Sequence, residues 1–97
     1  MLKGKQLSYL RGLANTIDHR YLLGKQEPDE AFLDQLDKAL EANELIKVGI
    51  LQNSESKPRE LGEDICAKLG AELVQIIGRV IVLYRPSNKH RKIVLPA

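Results

Sequence analysis

Glu72-Leu73-Val74-Gln75-Ile76-Ile77-Gly78-Arg79-Val80-Ile81-Val82-Leu83-Tyr84-Arg85 decides how the rest of this 97-residue chain is read. Two β-branched, apolar runs flank a single Gly-Arg step, which is the pattern of a tight β-hairpin. Gly78 at the first loop position predicts a type II′ turn, because glycine takes positive φ with no Cβ to clash. Val80, Ile81, Val82 and Leu83 place apolar groups on both strand faces, so the hairpin is expected to be central and covered. No other segment is as long or as continuously apolar.

Upstream of the hairpin, a helix is expected from Pro58, burying Leu61, Ile65 and Leu69 and stopping at Gly70. Leu45 to Leu51 reads as a strand with Ile46, Val48 and Ile50 on one face, followed by a polar loop from Gln52 to Lys57. Before that strand, a helix runs to Asn43 with Phe32, Leu33, Leu36, Ala39 and Leu40 as its buried stripe. Asp34, Asp37, Lys38 and Glu41 are expected to face water. Pro28 suits the first helical position, and Asp29 and Glu30 complement the positive end of the helix dipole.

Arg20 to Leu23 is expected to be a short strand. Lys3 to Ile17 predicts a helix on the spacing of Leu7, Leu10, Ala14 and Ile17, with a close contact at Gly12 and a turn from Asn15 to His19. Downstream, Pro86 to Arg91 is a basic loop and Lys92 to Leu95 a short edge strand. The order α-β-α-β-α-β-β predicts a two-layer α/β domain, with helices packed on a sheet and an antiparallel pair at its end.

Ninety-seven residues support a single domain spanning 1–97, large enough for a core without staples. Hydrophobic residues make up 43% and charged residues 29%, ordinary values for a globular protein. Cys66 is alone, which excludes an internal disulfide and a cysteine metal cluster. No apolar run approaches the ~18 residues of a membrane span and no signal-peptide core is evident, so a cytoplasmic location is expected.

The net charge of +2 hides a split. Residues 1–27 carry five cations against two carboxylates, residues 28–72 five against eleven, and residues 73–97 five against none. Two basic ends thus enclose an acidic middle. If the ends meet in the fold, they form the electrostatic footprint of a nucleic-acid binder; if not, they are solvated charge runs.

Catalytic patterns are lacking: there is no P-loop, GxGxxG, HExxH or CxxC. His19 and His90 fall in turn and loop segments with no nucleophile in pattern, and Cys66 reads as a small buried thiol. We therefore expect no enzyme, no cofactor, no metal and no small-molecule substrate. Gly24-Lys25-Gln26 joins a strand to a helix start, where free N–H groups attract anions and Lys25 suits a phosphate; an ordinary β–α turn is the alternative. Arg79 is expected to stand exposed at the hairpin tip, as a phosphate contact or a solubilising turn residue. Tyr84 reads as core. With one Phe, three Tyr and no Trp, the chain lacks the aromatics of a base-stacking RRM-like or OB-fold surface.

Three blocks closely resemble the CRM domain family, in its stand-alone bacterial YhbY-type form. They are Lys5 to Ala14, Ala39 to Val48, and Gly70 through the hairpin to Arg85, and the likeness runs in order along nearly the whole chain. The resemblance implies a four-stranded mixed sheet with helices, as in the C-terminal domain of translation initiation factor three. It also implies RNA binding and association with precursors of the large ribosomal subunit (pre-50S). A GxxG loop comparable to that of KH domains contacts the RNA backbone in this family. Here it maps onto Gly24-Lys25-Gln26-Glu27, with glutamate in place of the last glycine.

The expected role is therefore a monomeric RNA-binding protein of ribosome biogenesis. The contacts expected are Lys3, Lys5, Arg11, Arg20, Gly24, Lys25, Gln26 and Arg79. A module docking on a ribosomal protein or assembly factor through its acidic helices is the competing expectation.

Overall fold

In the computed structural model, seven elements follow one another as α1 (Gly4–Ala14), β1 (Arg20–Leu23), α2 (Glu30–Asn43), β2 (Leu45–Ile50), α3 (Pro58–Leu69), β3 (Glu72–Ile77) and β4 (Val80–Tyr84). The structure describes residues 2–17, 20–23, 29–50, 57–89, 91 and 93–96, with Arg20 described through its backbone. The strands form one mixed sheet in the order β1-β2-β4-β3. β1 and β2 are parallel, whereas β4 runs antiparallel to both β2 and β3.

The hairpin forms as the sequence predicts. Ile77 pairs with Val80 across a two-residue loop, and Gly78 has φ +58° while Arg79 does not take positive φ, the backbone sign pattern of a type II′ turn. Its placement differs from expectation, since only β4 is central. β3 is an edge strand, and it contains a β-bulge between Leu73 and Gln75 that sets Val74 and Gln75 together against Val82. The bulged Val74 carbonyl accepts a hydrogen bond of 3.4 Å from Arg11 Nε of α1.

Strand alternation then divides the core in two. On one face, Ile46, Val48, Ile50, Ile81 and Leu83 meet Leu36, Ala39 and Leu40 of α2 and Leu61, Ile65 and Cys66 of α3. On the other, Leu45, Val74, Val82 and Tyr84 meet Leu10 and Ala14 of α1, with Leu7, Leu13, Ile17, Ile93 and Leu95 packed around them. Each large aliphatic side chain so buried contributes about 1.5–3 kcal/mol. Helices therefore cover both faces, giving three layers where two were expected. The physical reason is visible in β4, whose consecutive Ile81, Val82, Leu83 and Tyr84 are all buried.

Local chemistry corrects several other expectations. Helix α2 begins at Glu30, with Asp29 as its N-cap; the Asp29 Oδ1 accepts from Phe32 N at 2.8 Å. Pro28 lies outside the described residues and before the first helical position. Gly12 is exposed, and a Cβ placed on it would meet nothing within 4 Å, so no close contact occurs there. The close-approach glycine is Gly62 on α3, where a Cβ would meet Leu73 Cδ1 at 3.0 Å and Ile81 Cγ2 at 3.6 Å. Residues 93–96 pack against the α1 side of the core and form no strand.

Candidate nucleic-acid interface

The two ends of the chain meet on one face of the sheet. α1 carries Lys5 and Arg11 and no carboxylate, and it shares its core with Ile93 and Leu95 of the C-terminal tail. Gln6 Nε2 donates to the Pro96 carbonyl at 3.1 Å, which ties the tail to the first turn of α1. Lys3, Lys5, Arg11, Lys89 and Arg91 are all exposed. The acidic helices α2 and α3 lie on the opposite face, with Glu30, Asp34, Glu60, Glu63 and Asp64 exposed. The split charge of the sequence thus sets the carboxylate-free α1 on one face of the sheet and most of the exposed carboxylates, on α2 and α3, on the other, with Lys89 held by its backbone at Glu41 of α2.

Of the residues expected to contact RNA, Lys3, Lys5 and Arg11 are brought together at α1. Arg11 is also structural, through its bond to the bulge. Arg79 stands elsewhere and is only half exposed, contrary to expectation. Its Nε donates to the Ile50 carbonyl at 3.1 Å, and its own carbonyl accepts from Ile50 N at 2.7 Å. These two bonds pin the hairpin tip to the end of β2. Leu23 pairs with Ile50 from the other side. Leu23, the last residue of β1, therefore lies about 10 Å from Arg79, two inter-strand spacings away. Gly24, Lys25, Gln26 and Glu27 themselves lie outside the described residues, as do His19 and His90. Arg20 begins β1, level with Lys47 in the sheet.

Sequence reasoning missed how the tail is held. Glu44 follows α2 with φ +67°, and its carboxylate is fully buried. Its backbone N–H closes α2 on Leu40, its carbonyl accepts from Arg85 N, and its side chain accepts from Ser87 N and Ile93 N, each at 2.8 Å. Glu41, one turn earlier, accepts from the Ser87 hydroxyl and from Asn88 N at 2.9 Å. The Ser87 hydroxyl, with help from the Lys89 and Asn88 N–H groups, holds the Glu41 carboxyl below its ordinary range, against the effect of desolvation. One signal was available: two glutamates at a helix C-terminus oppose the macrodipole, and a glutamate sits where glycine or asparagine usually ends a helix.

Arg85 was counted with the basic end, yet it works inside the fold. Its guanidinium donates to Asp37 Oδ1 at 2.6 Å, to the Leu69 carbonyl at 2.9 Å and to the Asp37 carbonyl at 2.9 Å. It thereby ties the middle of α2 and the end of α3 to the chain leaving β4, and Asp37 and Glu41 are half-buried partners rather than water-facing residues. Cys66 is a free, buried thiol whose pKa is pushed up to about 11, first by burial and then by Glu72 and Glu63. Among the described residues, no cluster of His, Cys, Asp and Glu is arranged to hold a metal ion, and no helix is long and apolar enough to cross a membrane.

Comparison with known proteins agrees with this architecture. Residues 2–85 match the family model described as the CRS1 / YhbY (CRM) domain. The chain is 40% identical over 96 residues to the Bacillus subtilis (strain 168) protein named "Probable RNA-binding protein YqeI", covering 99% of this chain and all of that one. It is 36% identical over 95 residues to a Haemophilus influenzae protein named as an RNA-binding protein, covering 98% and 95% of the two chains. The solution structure of the Staphylococcus aureus hypothetical protein SAV1595, described as an RNA-binding candidate, superposes with a TM-score of 0.82 at 46% identity, over 99% of this chain and 100% of that one. The chain belongs to the CRS1 / YhbY (CRM) domain family.

Proposed function

We infer that this protein binds RNA through the α1 side of its sheet and acts without catalysis in assembly of the large ribosomal subunit. The observation that carries the inference is the sorting of charge: the exposed cations of α1, and Arg91 beside the tail residues that pack with it, lie on one face, with the acidic helices on the other. Such a face attracts a phosphate backbone through point charges and counterion release. The names of the relatives support RNA as the partner. Lys3, Lys5, Arg11 and Arg91 would supply backbone contacts. Lys25, with Gly24 and Gln26 in the segment that follows Leu23 in sequence, would add the GxxG-like loop. The large-subunit precursor rests on the family resemblance, and the cytoplasmic location and the monomeric state belong to the same proposal.

The acidic α2–α3 surface favours a second reading, docking on a ribosomal protein or assembly factor. Gradient sedimentation of cell lysate, with and without RNase, separates the two. Co-sedimentation with large-subunit precursors that RNase abolishes supports RNA binding, and retention on a protein partner after RNase refutes it as the main contact. Lys25→Glu tests the loop: unchanged affinity for ribosomal RNA would remove Gly24, Lys25 and Gln26 from the interface.

A further inference from the structure

Beneath the C-terminal tail lies a pocket of about 300 Å³, lined by Tyr84, Arg91, Ile93, Val94 and Leu95. The α1 cations are not among its described lining residues. Three of its walls are aliphatic, and Val94 stands 83% exposed at the lip. Among the described lining residues, the charged one is a cation, Arg91. Arg91 Nε donates to the Ser87 carbonyl at 3.0 Å, which fixes the plane of the guanidinium at the rim. Among the described residues, no carboxylate forms an ion pair with it. Tyr84 is buried beside it, and burial and the nearby Glu44 raise its pKa, so its hydroxyl stays protonated.

An apolar slot with an oriented cation at its mouth suits a planar heterocycle attached to a phosphate. Neutral apolar ligands would leave the guanidinium unused, and a bare anion would leave the aliphatic walls unused. Unpaired bases in loops and single strands can be splayed into such slots, which a duplex cannot do. We propose that this pocket is a nucleotide subsite taking one unpaired base of an RNA loop or single strand, with Arg91 on the adjoining phosphate. The proposal rests on the RNA-binding reading above and deepens it.

The pocket exists because the tail is folded back, and two carboxylates fold it. Glu44 accepts the Ile93 N–H, and Glu41 accepts the Asn88 N–H and Ser87 hydroxyl that precede Arg91. Glu41 and Glu44 are therefore positioning residues: acidic groups that promote the binding of an anion by shaping the strap that receives it.

The test is an NMR titration of the full chain with adenosine and uridine 5′-monophosphates, inorganic phosphate and a short unstructured oligoribonucleotide. The nucleotides and the oligonucleotide are expected to shift the amides of Tyr84, Arg91, Ile93, Val94 and Leu95, and inorganic phosphate is not. Arg91→Ala should weaken oligonucleotide binding about tenfold, the loss expected for a charged hydrogen bond, and should affect a duplex less. Glu41→Ala removes a negative charge, which on net charge alone raises affinity; here it lowers affinity severalfold and speeds exchange of the Asn88 amide. Salt-dependent RNA binding with no tail shifts and no effect of Arg91→Ala would overturn the subsite and leave the RNA reading intact. Equal shifts from inorganic phosphate would overturn the base-binding part. Absence of RNA binding at every salt concentration would overturn both readings.

Discussion

Arg85→Lys separates the cations that build this fold from those that face a ligand. The substitution keeps the charge and removes the planar fork. In the native chain the guanidinium is 18% exposed and makes three hydrogen bonds, one to the Asp37 carboxylate and two to the Asp37 and Leu69 carbonyls. Asp37 is 50% exposed, so the ion pair itself is worth only about 0–1 kcal/mol. The two carbonyl bonds carry more, about 1 kcal/mol each, and the Leu69 carbonyl, at the end of α3, is the acceptor that their loss exposes most. An ammonium can reach one carbonyl, and it cannot span Asp37 of α2 and the end of α3 together. The expected loss is about 1–2 kcal/mol. For a domain of this size that lowers the melting temperature by roughly 5–15 °C. Differential scanning calorimetry measures it, alongside RNA affinity at 25 °C, where both proteins are folded. A clear fall in Tm with affinity unchanged is expected. An unaltered Tm together with weakened RNA binding would refute the structural role and place Arg85 on the interface.

Other expectations follow from individual positions. Ile65→Ala empties a fully buried site between α3 and the sheet and should cost about 2–5 kcal/mol in denaturant unfolding. Gly78→Ala meets no neighbouring atom but forces an L-residue to φ +58°, so a loss of about 1–2 kcal/mol is expected, with the hairpin register retained in NMR spectra. Cys66, with its thiol pushed up to about 11, should resist thiol reagents at pH 8 in the folded protein and react fully in denaturant. The Glu41 carboxyl is depressed in the folded state, so its contribution is present above the ordinary value of 4.5 and is lost as pH falls through the lower folded value. A carboxyl NMR titration should give a midpoint below 4.5, with the Asn88 amide shifting in step; a midpoint at or above 4.5 would contradict the latch.

What could be read from the sequence was whatever repeats at short range. The three helices declare themselves through stripes such as Leu36, Ala39 and Leu40, and the hairpin through Gly78 between two β-branched runs. The burial of Tyr84 and Cys66 followed from the same patterns. Placing β3 at the edge was beyond reach, because Leu73 to Ile77 is as apolar as the central β4 and only strand order tells them apart. Gly62 looked like any other helical position until α3 was laid across Leu73 and Ile81. The tail was the largest omission. Its anchors pair Glu41 and Glu44 with backbone groups 43 to 49 residues away, and no periodicity encodes a carboxylate that seeks N–H groups.

The same distinction runs through the candidate interface. Lys3, Lys5 and Arg11 were legible as cations of the first amphipathic helix, with Lys5 away from its apolar stripe and Arg11 at the edge of it. Arg79 was misjudged, since a turn tip is normally exposed, whereas this one folds back onto Ile50 and commits its Nε to a carbonyl. Arg91 went unnoticed because nothing near it in sequence suggests a pocket. Its site depends on Ser87 and on two carboxylates from another helix.

The central claim is that a basic face formed by α1 and the tail binds RNA through phosphate contacts. Its most direct test is the affinity of the full chain for ribosomal RNA measured across a salt series. Phosphate contacts predict a linear fall of log K with log salt concentration, steepening by about 0.7–0.9 for each phosphate neutralised, and a shallower slope for Lys5→Ala combined with Arg91→Ala. An affinity independent of salt, or a slope unchanged by that double substitution, would contradict it.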